Sequence, residues 1–180
     1  MTATNDYLWL NGEQKPSVPP IQRLHTDGIL FRREDGSRWN WQGVSAFSLA
    51  YDISIGDDAK VVRFLDWCTA NDVTIVRVFT TAVGMFNLPP DIGRQGLQIV
   101  LSLAEERGLY VEAVGLADTK VRAFDHQEHL WRLGAMGAAF PGLLIEIANE
   151  PNHPTQDADI KNVNYLIQLR DIVRAQTSTL

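Results

Sequence analysis

An asparagine and a glutamate follow directly on an apolar, strand-like segment of the sequence. The segment covers residues 143–148, Asn149 and Glu150 come next, and Pro151 ends it. Proline has no backbone N–H and does not continue a central strand, so the two polar side chains fall at a strand's carboxyl end. A carboxyl group in such a place can transfer a proton, and the adjacent amide can bind a hydroxyl group. The pair predicts acid/base chemistry beside hydroxyl recognition.

Four apolar segments of strand length alternate with stretches that have helical spacing. They are residues 43–47, 73–79, 110–114 and 143–148. Near-continuous apolar runs are typical of parallel strands covered on both faces. Starts about 30 to 37 residues apart leave room for a crossover helix and two loops. We predict an α/β fold of four βα units, preceded by a β-hairpin around Asp35 and Gly36.

The positions of the polar residues distinguish two architectures, the open doubly wound sheet and the (β/α)8 barrel. The first strand-to-helix turn, residues 47–51, has no glycine, which a nucleotide-binding turn requires. Ser45, Arg77 and Asp118 lie instead near the carboxyl ends of different strands, where barrel enzymes assemble their sites. We therefore predict a TIM-barrel fold with only its first four βα units, a half-barrel.

The composition indicates a folded globular chain and limits the classes of partner that we expect. Of 180 residues, 45% are hydrophobic and 21% charged. The net charge is −6 and basic residues are scattered, so no nucleic-acid partner is expected. No apolar run approaches membrane length, so no membrane association is expected. The start of the chain lacks signal-peptide features, and we expect a cytoplasmic location by default.

The chain divides into a short leader and one domain. Residues 1–27 contain three prolines and show no regular periodicity, which predicts an irregular leader. Residues 28–180 are the predicted partial barrel domain. Cys68, the only cysteine, lies in an apolar helical stretch, where we expect a buried core residue rather than a disulfide or a zinc ligand.

The segment that ends in Asn149-Glu150-Pro151 resembles the fourth strand of clan A glycoside hydrolases. The resemblance is closest to family 5 and its cellulase- and mannanase-like relatives, in which Asn-Glu-Pro ends that strand. Residues 41–44 and 76–78 are also similar to the first and second strands of that family. The resemblance covers about residues 28–175.

The resemblance assigns roles to four residues. It implies that Glu150 is the general acid/base and that Asn149 binds the sugar 2-hydroxyl. It places Arg77 near the reacting groups and His153 in a loop that lines the sugar cleft. We expect the wall of the barrel to enclose the Glu150 carboxyl group.

The implied activity is that of a retaining glycoside hydrolase acting on a β-linked polysaccharide or oligosaccharide, without a cofactor. Retaining hydrolysis uses two carboxyl groups about 5 to 5.5 Å apart. The second glutamate of the family ends the seventh strand, and this sequence has only four strand segments. We expect a truncated or split chain that carries the acid/base but not the nucleophile. The complete protein would hydrolyse O-glycosyl bonds, and the isolated chain would be inactive.

Alternatives stay open at this point. The chain is also consistent with a non-catalytic half-barrel that binds carbohydrate or a partner chain, or with a metal-dependent lyase or isomerase that uses Glu150 and Asp118. Unpaired edges of the first and fourth strands predict a homodimer or pairing with a complementary half-barrel. No metal site is predicted, because His126, His129 and His153 show no ligand spacing.

Strand parity and helix periodicity give further expectations. Glu146 shares the parity of Glu150, which points it into the barrel as a structural partner of Arg77. The other interpretation of Arg77 is an arginine that points inward into the site, and both can hold. Four tryptophans are expected in the core, namely Trp39, Trp41, Trp67 and Trp131.

Overall fold

The computed structural model describes residues 18–177. The strands are β1 (Leu24–Asp27), β2 (Leu30–Arg33), β3 (Arg38–Trp39), β4 (Gly43–Ser45), β5 (Ile75–Phe79), β6 (Tyr110–Leu116) and β7 (Leu143–Ala148). The helices are α1 (Leu49–Ser54), α2 (Asp58–Ala70), α3 (Pro90–Glu105), α4 (His126–Ala139) and α5 (Val163–Arg174), and a 3₁₀ turn covers Asp159–Lys161. The order is therefore three short strands followed by four βα units.

A parallel sheet of four strands forms the centre of the fold. Its order, β4-β5-β6-β7, is the order of the strands along the chain. Val76 pairs with Val44 on one side and with Val111 on the other, and Val111 pairs with Leu143. The predicted α/β fold with a parallel sheet of four strands is confirmed.

The two faces of this sheet have different chemistry. Val76, Val78 and Val111 are fully buried on the face that the helices cover. Side chains alternate along a strand, so Arg77 and Glu112 point to the opposite face. That face is called the open face below. Ser45, Arg77, Glu112 and Leu144 lie in one row across it because their strands are paired in register.

The strands that precede the parallel sheet form a separate antiparallel sheet, β1-β2-β3. β2 and β3 pair on either side of the turn at residues 34–37. Residues 24–27, which the sequence placed in an irregular leader, instead form β1, because Leu24 is buried beside Trp39 and Tyr110 and the strand pairs with β2. Residues 1–17 of the predicted leader lie outside the described part of the chain.

Local sequence explains where the helices begin. The side chains of Asp57, Asp125 and Asn162 accept hydrogen bonds from backbone N–H groups in the first turns of α2, α4 and α5. These bonds satisfy donors that a helix leaves unpaired at its start. α3 begins at Pro90, where the missing N–H has no effect on helix hydrogen bonding.

Two glycines bring α3 unusually close to neighbouring backbone. A Cβ atom on Gly93 would overlap the backbone oxygen of Thr80, and one on Gly96 would overlap that of Ala50. Ala50 belongs to α1, a helix of six residues that the sequence analysis did not predict. The glycines therefore set the distance of α3 from α1 and from the end of β5.

Only one of the four tryptophans expected in the core lies there. Trp39 is buried, but Trp41, Trp67 and Trp131 are 65%, 51% and 47% exposed, so their predicted burial is wrong. Trp67 and Trp131 are each next in sequence to a buried residue of their helix. A step of one residue rotates the side chain by about 100° around the helix axis, so both tryptophans point away from the buried face. Cys68 is fully buried, as predicted.

None of the helices within residues 18–177 combines the length and the apolar character needed to cross a membrane.

Candidate functional site

An arginine and a glutamate form a two-bond ion pair on the open face. Arg77 Nε donates to Glu146 Oε2 at 2.7 Å, and Arg77 Nη2 donates to Glu146 Oε1 at 2.8 Å. The expected pairing of these two residues is confirmed. Hydrogen bonding to Glu146 raises the pKa of Arg77, against the opposing effect of burial. The rings of Phe47 and Phe79 lie 5.5 and 5.7 Å from the guanidinium carbon and support its position.

The same arginine also fixes the amide of Asn149. Arg77 Nη2 donates to Asn149 Oδ1 at 3.0 Å. Because an arginine only donates, this contact assigns the amide oxygen to the arginine side. The Nδ2 group of Asn149 is then available as a donor, which suits the oxygen atom of a sugar hydroxyl.

Glu150 directly follows this arrangement and has an unusual backbone conformation. Its φ angle is 42°, in the left-handed region that residues with a side chain rarely adopt. Its side chain is exposed, which corrects the expectation that the barrel wall encloses it. The four strands of the parallel sheet do not surround the Glu150 carboxyl group.

A cleft of about 470 Å³ lies at the carboxyl ends of β5, β6 and β7, and is called the Glu150 cleft below. Asn149, Glu150, Arg77 and His153, the residues that the sequence assigned to the site, all line this cleft. Side chains that also line it include Phe47, Phe79, Met85, Asp118, Thr155 and Gln156. Ser45 lies elsewhere, in a cavity lower on the open face.

His153 and Asp118 have defined partners at the margin of the cleft. His153 Nδ1 lies 2.7 Å from Thr155 Oγ1, and the backbone N–H of His153 donates to the Glu150 carbonyl oxygen at 2.8 Å. Asp118 Oδ2 accepts from the backbone N–H of Val83 at 3.0 Å and so connects two loops. Its carboxylate is already used in holding the loops.

The histidines do not form a metal cluster. His129 is buried between Thr80 and Arg94, with Nε2 at 3.0 Å from the threonine hydroxyl and Nδ1 at 2.6 Å from the arginine. Throughout residues 18–177, no three His, Cys, Asp or Glu side chains are placed to share a metal ion.

The sequence analysis missed one charged residue on the open face. Glu112 lies opposite Arg77 in the β5–β6 register and lines a cavity of about 410 Å³ together with Trp41. Burial raises the pKa of Glu112, the charge of Glu146 adds to this, and Arg77 opposes it. A charged residue between Val111 and Ala113 interrupts an apolar strand, and that signal was available in the sequence.

Replacing Glu112 by glutamine tests whether the charge of this side chain destabilises the folded state. Because the pKa of Glu112 is raised in the folded state, the stability linked to its protonated form is fully present below the ordinary carboxyl pKa of 4.5. It is lost as pH rises through the folded-state pKa. Glu112→Gln should therefore raise Tm by a few degrees at pH 7 and have little effect near pH 4. Thermal unfolding followed by circular dichroism at both pH values measures this. An equal change at both would show that the charge is irrelevant.

No protein-family model and no curated relative matches the sequence. Solved structures do match the fold. The chain aligns with the β-glucanase SdGluc5_26A from Saccharophagus degradans in complex with cellotetraose, at a TM-score of 0.67 and 15% identity, over 97% of this chain and 57% of that one. It aligns with a glycoside hydrolase family 5 structure from Bacteroides vulgatus ATCC 8482 at a TM-score of 0.59 and 14% identity, over 88% and 38%.

A third structure, the GH5_18 protein from Streptomyces cattleya in complex with GlcNAc, aligns at a TM-score of 0.56 and 20% identity, over 79% of this chain and 43% of that one. This chain thus spans well under two thirds of the length of each of these structures. The structural alignments establish the fold. Sequence identities this low leave the substrate open. The resemblance noted in the sequence is therefore confirmed for the fold, and the chain has the α/β fold found in part of glycoside hydrolase family 5 structures.

Proposed function

We propose that the chain is the acid/base half of a retaining glycoside hydrolase that acts on β-linked polysaccharides or oligosaccharides. The observation that carries this proposal is the attachment of Asn149 to the Arg77–Glu146 pair, directly before Glu150 at the carboxyl end of β7. This arrangement places an amide donor and a carboxyl group side by side in the Glu150 cleft. The fold comparison with glycoside hydrolases supports the proposal.

Each residue then has a distinct role. Glu150 donates a proton to the leaving glycosidic oxygen and, after the sugar is transferred to the second carboxylate, removes a proton from the attacking water. Asn149 donates from Nδ2 to a sugar hydroxyl. Arg77 holds the Asn149 amide, and His153 contacts the sugar from the loop that follows.

In this proposal the attacking carboxylate comes from outside the described residues. Two other carboxylates lie at or next to the cleft, and each already has a partner. Glu146 receives two hydrogen bonds from Arg77, and Asp118 receives one from the Val83 backbone. Withdrawing either would leave an arginine or a loop amide without its acceptor, which is unfavourable in a partly buried site.

We further propose that this carboxylate arrives with a complementary half-barrel. Within residues 18–177, β4 and β7 are each paired on one edge only. Unpaired parallel edges and an open sheet face with Arg77 and Glu112 are suited to further strands. A homodimer through the same edges is the other arrangement to test, by light scattering of the purified chain.

A non-catalytic carbohydrate-binding role is the alternative function. The exposure of Glu150 and the engagement of Glu146 and Asp118 favour it for the chain on its own. In that case the Glu150 cleft binds the sugar without hydrolysing it. Binding by the chain together with inactivity of an assembled barrel would support this alternative.

Titration with cellotetraose tests both carbohydrate proposals. In ¹⁵N-resolved NMR spectra we expect shift changes at Arg77, Asn149 and His153, which line one cleft. Asn149→Ala removes the amide donor and should weaken binding about tenfold, the usual effect of losing a good hydrogen bond to a ligand. Asn152→Ala, at an exposed position in the next turn, is the matched control. Unchanged affinity in Asn149→Ala would contradict the assigned contact.

A further inference from the structure

A buried glutamine connects the loops that follow β6 and β7. Gln156 is only 2% exposed. Its Nε2 group donates to the carbonyl oxygen of Asn149 at 2.6 Å and to that of Leu116 at 3.2 Å. Its Oε1 atom accepts from the hydroxyl of Thr119 at 2.8 Å. The side chain therefore uses both ends of its amide in contacts with two loops.

The direction of this amide is fixed by its neighbours. The Thr119 hydroxyl accepts from the backbone N–H of Asp157 at 2.9 Å, and its proton is then donated to Gln156 Oε1. The carbonyl groups of Asn149 and Leu116 only accept, so they require the Nε2 end. A buried side chain at this position must combine an acceptor on one side with two donors on the other. Glutamine meets this requirement, and glutamate does not.

The contact acts on the peptide group that leads into Glu150. The Asn149 carbonyl held by Gln156 belongs to that peptide, and the Glu150 carbonyl accepts from His153 N–H at 2.8 Å. Both peptide groups that flank Glu150 are thus fixed by hydrogen bonds. A left-handed φ for a residue with a side chain persists only where surrounding contacts determine it.

We propose that Gln156 is a positioning residue, which holds Glu150 in its left-handed conformation and thereby directs its carboxyl group into the Glu150 cleft. This role rests on the proposed function of Glu150 as acid/base. Gln156 acts through the Asn149 carbonyl, and the sugar is contacted by the residues that it positions.

Gln156→Glu is the informative variant because it keeps the size and the acceptor while replacing the donor by an oxygen atom. When the carboxyl group is ionised, that oxygen faces two carbonyl groups and has no proton to donate, so Glu150 should leave the left-handed region. The ¹³Cα and ¹³Cβ shifts of Glu150 report this change, and cellotetraose affinity should fall about tenfold or more. Protonation of the introduced carboxyl group as the pH is lowered restores one O–H donor, and both readouts should then move back toward their wild-type values.

Two further variants complete the experiment. Gln98→Glu makes the same chemical change at an exposed position of α3 and should leave both readouts unchanged. Thr119→Val keeps the Nε2 donors and removes the hydroxyl, so it should shift Glu150 less and in the same direction. This second variant keeps the proposal testable if Gln156→Glu does not fold.

The outcomes separate this inference from the proposed function. If Gln156→Glu has wild-type Glu150 shifts and affinity, with only Tm lowered, Gln156 supports the fold alone and the proposal is overturned. If the wild-type chain binds no cellotetraose, the proposed function loses its support, and the Glu150 shifts still decide whether Gln156 controls the backbone. Shift changes in Gln156→Glu that do not depend on pH would also count against the donor mechanism.

Discussion

Lowering the pH from 7 to 4 should cost the chain several kcal/mol of stability, through the protonation of one histidine in the unfolded state. Burial, together with the smaller effect of the Arg94 charge, lowers the pKa of His129 from 6.5 to about 3. Arg94 donates to Nδ1, so the neutral ring must donate from Nε2, toward Thr80. A second proton would leave two cationic groups facing each other in a buried site.

The direction of this pH dependence follows from which state of the chain binds the additional proton. Below pH 6.5 the unfolded chain binds a proton at His129 that the folded chain does not, so stability is full above that pH and is lost as pH falls toward 3. Each tenfold difference in proton affinity is about 1.4 kcal/mol, and the whole stability of a domain is on the order of 5 to 15 kcal/mol. The loss should therefore be a substantial fraction of the stability, seen as a lower urea midpoint and a lower Tm in mild acid.

Urea unfolding at pH 7, 5.5 and 4.5 measures this effect in three proteins. In His129→Gln, which does not titrate, the free energy of unfolding should be lower at pH 7 and should depend much less on pH. His126→Gln is the matched control, since His126 is a neighbouring histidine whose pKa is lowered chiefly by partial burial. Parallel pH curves for the wild type and His129→Gln would show that another group causes the acid sensitivity.

Glu150→Gln should reduce hydrolysis of cellotetraose by about 10² to 10⁴-fold in an assembled barrel that contains the second carboxylate. The amide retains the size and exposure of the side chain but cannot protonate the leaving oxygen. A dinitrophenyl glycoside, whose leaving group needs no proton, should lose much less of its glycosylation rate. This difference between substrates is specific to the loss of an acid.

Glu34→Gln provides the isosteric control, because Glu34 lies in the β2–β3 turn and does not line the Glu150 cleft. It should retain wild-type activity on both substrates. Hydrolysis by Glu150→Gln within threefold of wild type, on cellotetraose, would remove Glu150 from the mechanism.

The parallel sheet was predictable because its strands carry a strong and simple signal. Leu143–Ala148 has the predicted boundaries, and the end of β5 at Phe79 agrees as well. α1 was missed because six residues give fewer than two helical turns, too few for a periodic pattern. β1 was missed because only Leu24 of its four residues is buried, so nothing in its sequence marks an apolar face.

The site was predictable where a single residue carries the signal. Asn149 and Glu150 follow a strand and precede a proline, and Arg77 and Glu146 interrupt apolar runs at matching parity. Gln156 had no such signal. It lies in an irregular loop, and its importance depends on burial and on carbonyl groups that come close only in the folded chain. From the sequence alone, a single glutamine in a polar loop is expected to be exposed to solvent.

The strand order of the parallel sheet has a consequence for how the chain folds. Every pairing in β4-β5-β6-β7 joins strands that are consecutive along the chain. Each strand after β4 pairs with the strand that precedes it in the sequence. The sheet can therefore grow one βα unit at a time while the polypeptide emerges from the ribosome. β7 is the last of these four strands to be synthesised, and its unpaired edge is where any further strand would be added. The catalytic candidate Glu150 directly follows β7, so it can become ordered only after all four strands of this sheet have paired.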